Sequence, residues 1–509
     1  MRAGLFRRFP LVTLLVGLAA IAPIAARQQQ AVTALVGGTL IDGTGRPPVG
    51  DAVVVIENGR VSAAGPRAGV TIPAGAAIVD ATDRWILPGF VDTNVHLSLY
   101  GGNADRYETL VRYADRQPDI VLEAAQLQLK HGVTTVRDSY GVLPPLIEVR
   151  DRIAAGKAIG PRVQAAGNIV GWGGPYSVSF SLIPERGLTL FQEQMNDLVS
   201  QGAGEDLVQL PLDELRGAIQ QYLAKGPDFL KYGGTSHFAR PSFMGFSAEA
   251  QKVIVEETHA RGRVAETHST TPDGLRVSIE AGIDLIQHPE LLSDREMPDE
   301  MAALIARRGI ICSMLTNTIT GDAWKTHVTD RDAAQRKIAE AEKRDGARRP
   351  LTSAEQRQRD ADLGVGMQMR RVNAQKLIRA GAVVTVGTDN YWAAAAELSR
   401  TAKLENQSHG IGTIIGIEGL VELGMTPMQA IVAATANGAR AARGLEDFGT
   451  LEPGKRADLL LLAADPLLNI RNIRLLTMIM RDGQTIDRAR LPERRVLSRA
   501  PATTSTSQQ

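Results

Sequence analysis

Aromatic residues are scarce in this chain, at 4% of 509 residues, so it offers no extended stacking platform for nucleic-acid bases. Cysteine is nearly absent. Cys312 is the only one, which excludes an intramolecular disulfide and leaves stability to the core. Charge of one sign is also missing: 57 basic and 56 acidic residues nearly cancel, so no field favours nucleic acid or an anionic membrane as partner. Long apolar runs are lacking, with one exception between Leu11 and Ala26, interrupted by Gly17 and Pro23. That run is short for a bilayer core of roughly 30 Å. Arg2, Arg7 and Arg8 precede it and polar residues follow from Arg27, the pattern of a cleaved secretory signal over residues 1–26. An exported, periplasmic or extracellular protein with no stable membrane partner is expected.

What is present is ordinary for a large soluble enzyme: 44% hydrophobic and 22% charged residues. Short β-rich segments run from Val32 to Val36, Ala52 to Glu57, Arg60 to Ala64 and Ala76 to Asp80, and Asn58-Gly59 between two of them predicts a hairpin. After Pro88-Gly89 the rhythm changes. Apolar runs at Phe90-Val91, Val133–Val136, Arg162–Ala165, Phe229-Leu230, Val264-Ala265, Leu285-Ile286, Ile310–Leu315 and Val383–Val386 alternate with helix-like stretches, several ended by glycine. This predicts an α/β fold, a (β/α)8 TIM barrel over 87–446. Residues 27–86 and 447–496, with Asp458-Leu459-Leu460-Leu461-Leu462 as the clearest late strand, are expected to form a small β-sandwich domain. A charged, apolar-poor helical insertion is expected at about 324–371, either a lid over the barrel or a solvated excursion, and a disordered tail over 497–509.

In such a barrel the active site lies at the C-terminal strand ends, so polar residues that close apolar runs are the candidates. His96 follows strand one, Lys231 ends strand four, His268 ends strand five, His288 ends strand six and Asp389 ends strand eight. One histidine at a strand end is commonly structural. Three histidines, a lysine and an aspartate at five strand ends of one barrel point to a metal site, because imidazole and carboxylate suit Zn²⁺ and separate strands converge on one point. A metal-activated water with Asp389 as general base and acid would then hydrolyse a C–N bond of a small molecule.

The segment Leu87-Pro88-Gly89-Phe90-Val91-Asp92-Thr93-Asn94-Val95-His96 resembles the first strand of the amidohydrolase superfamily, where the usual motif is His-x-His. Gly132-Val133-Thr134-Thr135-Val136-Arg137-Asp138 is similar to its second strand, Gly160-Pro161-Arg162 to its third, and Gly449–Asp458 to its return into the small sheet. The likeness runs from about 32 to 485 and is greatest to imidazolonepropionase-like and Xaa-Pro dipeptidase-like members. It implies one or two Zn²⁺ or other divalent ions, His96, Lys231, His268, His288 and Asp389 as ligands, and a Lys231 carboxylated by CO2, since a bare ammonium has no acceptor for a cation.

Two departures qualify the likeness. Asn94 stands where the first histidine belongs, and a carboxamide oxygen is a poor Zn²⁺ ligand, so the first metal position is weakened. Where peptidase-like relatives carry Gly-Gly-His and Lys-x-Tyr, this chain reads Gly173-Gly174-Pro175 and Lys231-Tyr232-Gly233, leaving Tyr176, Tyr232, His237, Arg240 and Tyr391 as substrate-binding candidates. The expected function is hydrolysis of an amide or peptide-like bond. Cyclic-amide hydrolysis or deamination on the same site, and a barrel that binds without turnover, are the alternatives, and a homo-oligomer stays open.

Overall fold

The computed structural model describes residues 32–98, 113–181, 187–237, 242–345, 350–391 and 405–497. The expected leader, Arg240 and the tail beyond Leu497 lie outside the described residues. The first strands are β1 (Thr33–Leu40), β2 (Val49–Glu57), β3 (Arg60–Pro66), β4 (Ala77–Asp80) and β5 (Trp85–Pro88). β2 and β3 pair antiparallel across the expected hairpin, whose Asn58 and Gly59 both have positive φ, 53° and 77°, as a tight two-residue turn requires.

Eight parallel strands follow: β6 (Phe90–Val95), β7 (Val133–Asp138), β8 (Arg162–Ala165), β9 (Leu230–Gly233), β10 (Ala265–His268), β11 (Leu285–Gln287), β12 (Ile311–Met314) and β13 (Val383–Val386). All are short and, apart from Arg162 and Gln164 in β8 and Val383 in β13, their residues are buried, because helices cover one face and the other strands' side chains the opposite face. The ladder runs as sheets of three and five strands, β6-β7-β8 and β9 through β13. Single parallel bridges, Val170 with Tyr232 and Val95 with Asn390, link the two sheets at their ends. One core cluster unites these strands with the helices Gln117–Lys130, Leu143–Ala154, Leu212–Ala224, Ala248–Ala260 and Pro272–Ala281. Gly282 ends the last of these in the left-handed conformation, φ 93°, and lets the chain turn directly into β11.

The C-terminal strands β14 (Leu459–Leu462), β15 (Leu476–Arg481) and β16 (Gln484–Thr485) join the N-terminal ones, as expected. β14 pairs antiparallel with β5, so the chain leaves the barrel beside the strand by which it entered. The backbone pairing forms one mixed sheet rather than two separate ones. β1 pairs with β4 along Thr33–Val36 and with β5 at Thr39–Leu40, changing partner where Gly37 and Gly38 interrupt the register.

Two boundaries move. The segment after β16 packs against the barrel: Leu491, Val496 and Leu497 are buried in its cluster, and the Val496 and Leu497 amides donate to Glu123. Leu497 is therefore anchored, and the expected tail does not begin there. The insertion is helical, as Gly321–Asp345, Ser353–Asp362 and the first part of Val365–Arg379. It is tied back at its end, where Arg370 donates to Thr318 at 2.8 Å and the Arg371 guanidinium lies 4.6 Å over the Trp324 ring. No helix among the described residues is long and apolar enough to cross a membrane.

Candidate active site

The C-terminal strand ends surround a cavity of about 230 Å³ lined by His96, Lys231, His268, His288, Asp389, Tyr391 and His237 together with Tyr140, Ile169, Trp172, Phe180, Leu291, Leu315 and Gln407. All five strand-end residues expected from sequence thus share one cavity. They form two groups. On one side His96 Nε2 lies 2.7 Å from Asp389 Oδ1, and Asn94 Nδ2 donates to that same oxygen at 3.1 Å. On the other, His268 Nδ1 and His288 Nε2 stand 3.2 Å apart, both rings buried. Lys231, 2% exposed, lies between strands and donates to Ser139 Oγ at 3.2 Å.

Electrostatics separate these groups. Burial pushes the Asp389 carboxyl up, but the adjoining His96 ring, with help from His288 and Lys231, outweighs it and holds the group well below the usual carboxylate range. Asp389 is ionised at neutral pH. Burial drives His268 far down and His288 to about 3, so both rings are neutral and carry a lone pair. Burial also lowers the Lys231 amine, against the opposing pull of Asp389, Glu266 and Asp138. His288 and Asp389 leave their strands with positive φ, 38° and 55°. L residues pay about 1–2 kcal/mol for that region, and such strain gathers at functional sites.

The Asn94 carboxamide is engaged at both ends: its oxygen accepts from Ser139 while its nitrogen donates to Asp389. Among the described residues no group of three or more His, Cys, Asp or Glu side chains is arranged to hold a metal ion. His268 Nε2 and His288 Nδ1 have no hydrogen-bond partner within the protein.

The substrate-binding candidates divide. His237 lines the cavity, its ring stacked 4.6 Å from Phe180, and Tyr391 lines it too, accepting from Gln407 at 3.3 Å. Tyr176 packs against the neighbouring aromatic cluster without reaching the cavity. Tyr232 is a correction. Side chains alternate along a strand, so with Lys231 inward Tyr232 points out, fully buried against the helix Ala248–Ala260, and donates to Gln251 at 3.0 Å. Tyr232→Phe is expected to leave kcat and KM within about two-fold while costing about 1 kcal/mol of stability in a thermal melt.

Other participants escaped the sequence reading. Asp138 is the last residue of β7, a polar group closing an apolar strand; buried, and accepting from the Leu97 amide, its carboxyl is pushed well above its usual range by burial. Beneath the cavity Arg137 and Glu266 form a wholly buried ion pair at 3.1 Å, with the guanidinium 3.9 Å over the Phe229 ring. The aromatic wall of Tyr140, Trp172 and Phe180 comes from the segments that follow β7 and β8, Phe180 on the short helix Val178–Ser181, and no periodicity marks it.

A model of the amidohydrolase family matches residues 85–486. The solved structure of molinate hydrolase is 30% identical with a TM-score of 0.79, covering 94% of this chain and 99% of that one. Phenylurea hydrolase B is 29% identical with a TM-score of 0.77, covering 92% of this chain and all of its own. The ochratoxinase of Aspergillus niger is 25% identical over 464 residues, 88% of this chain and 84% of that one. With eight parallel strands, five of which bring His96, Lys231, His268, His288 and Asp389 to one cavity, and a match that spans all eight, the chain belongs to the amidohydrolase family, hydrolases that cleave amide bonds.

Proposed function

We propose that this protein is a metal-dependent hydrolase that cleaves the C–N bond of a small amide or urea-like substrate bearing an apolar or aromatic group, with Asp389 as general base and acid. The observation that carries this reading is a carboxylate held ionised by His96, facing two buried neutral imidazoles across an aromatic-walled cavity.

The histidine pair fits a cation. Metal–nitrogen bonds of 2.0–2.1 Å in a tetrahedron set its nitrogens about 3.3 Å apart, and His268 and His288 offer neutral ring nitrogens at 3.2 Å. Lys231 would complete the set after reaction with CO2, which only a neutral amine undergoes, and burial lowers this amine toward that form. An ion such as Zn²⁺ held there would polarise the scissile carbonyl and acidify a water. Asp389, ionised across neutral pH, takes a proton only from an unusually acidic donor and later returns it to the leaving nitrogen. Tyr140, Trp172 and Phe180 exclude bulk water and present flat apolar faces to the substrate, which agrees with hydrolase relatives named for molinate and phenylurea.

The test is a panel of N-aryl and N-alkyl amides and ureas of matched size, assayed on wild type and Phe180→Ala. Faster cleavage of the aryl compounds is expected, with their KM raised about 10-fold in the variant and the alkyl series little affected. Equal rates on both series would sink the aromatic assignment.

A further inference from the structure

We infer that Ser139 is a positioning residue for Asp389, acting through Asn94 to decide which carboxylate oxygen is free to carry the proton. The inference rests on the reading of Asp389 as general base.

Ser139 follows β7, is fully buried, and its Oγ lies between two partners, Lys231 Nζ at 3.2 Å and Asn94 Oδ1. A hydroxyl has one proton to give. The Lys231 amine donates into Oγ, so the Ser139 proton goes to Asn94 Oδ1. That settles the orientation of the carboxamide. With its oxygen turned to Ser139, its NH2 must face Asp389, where it meets Oδ1 at 3.1 Å. The reverse orientation would set two oxygens against each other at Asp389 and two donors at Ser139.

Oδ1 of Asp389 also takes His96 Nε2 at 2.7 Å, so both contacts fall on one oxygen and Oδ2 is left for the proton in transit. Asn94 holds the main chain at the same place, because its carbonyl accepts the Thr388 and Asp389 amides at 3.1 and 2.7 Å. The Asn94 carboxamide thereby serves both neighbours at once. It accepts on one arm and donates on the other, from a single planar group.

Ser139→Ala is expected to lower kcat about 10- to 100-fold with KM within about two-fold and bound metal per chain unchanged, since a misoriented base costs rate rather than binding. Ser139→Thr keeps the hydroxyl and is expected to recover to within about five-fold of wild type. If Ser139→Ala does not fold, Ser139→Cys preserves the volume with a much weaker donor and should show the same fall in kcat. Ser139 acts through Asp389, so adding Ser139→Ala to Asp389→Asn should cost no more than about two-fold further. Unchanged kcat in the alanine and cysteine variants, additive losses in the double variant, or loss of metal in step with activity would each overturn the proposal. Full turnover in Asp389→Asn alone would instead overturn the general-base reading, which separates the two failures.

Discussion

Asp389→Asn should lower kcat by about 10³-fold while leaving KM and the melting temperature close to wild type. A carboxamide cannot take up a proton, and general-base groups contribute about 10²–10⁴-fold. The substitution is nearly isosteric, and its oxygen can still accept from Asn94 Nδ2 and His96 Nε2, the contacts that seat the carboxylate at 3.1 and 2.7 Å. The loss should therefore be one of chemistry. Steady-state kinetics on a cleaved substrate, beside a thermal melt, decide it, and a variant retaining kcat within ten-fold would show that another group moves the proton.

His268→Gln should cost at least about 100-fold in metal affinity and abolish measurable turnover. Even changes to residues that only orient a ligand cost 10- to 100-fold in affinity, and this one removes a nitrogen donor outright. Among the described residues the other histidines of the cavity are occupied: His268 and His288 are the buried neutral pair, while His96 is engaged with Asp389 and His237 stacks on Phe180. Elemental analysis of the purified variant checks the metal, and chelation of the wild type should reproduce the kinetic loss, reversed by adding Zn²⁺. A variant that keeps wild-type metal content and turnover would remove the histidine pair from the site.

Much of the fold could be read along the chain. Short apolar runs alternating with helix-like stretches predicted all eight parallel strands, and Asn58-Gly59 the hairpin, because strand and turn preferences act over a few residues. The candidate residues were legible for the same local reason: a polar group closing an apolar strand lies at the barrel's C-terminal face whatever surrounds it. His96, Lys231, His268, His288 and Asp389 duly share one cavity. Tyr232 shows where that rule fails, since a displacement of one residue along a strand reverses the face.

What sequence alone determined, then, is the order of elements, the family likeness and which chemical groups stand at the strand ends, all consequences of short-range pattern. Only the tertiary structure decided that Asn94 serves Asp389 and Ser139 at once, that Arg137 pairs with Glu266 in the interior, and that Tyr140, Trp172 and Phe180 close one wall. Asn94, Ser139 and Asp389, like Arg137 and Glu266, are tens to hundreds of residues apart, and they meet because the strands that carry or precede them lie side by side. That convergence belongs to the packed whole, and it gives the altered motif a contact of its own: the asparagine at 94 hydrogen-bonds the carboxylate of Asp389.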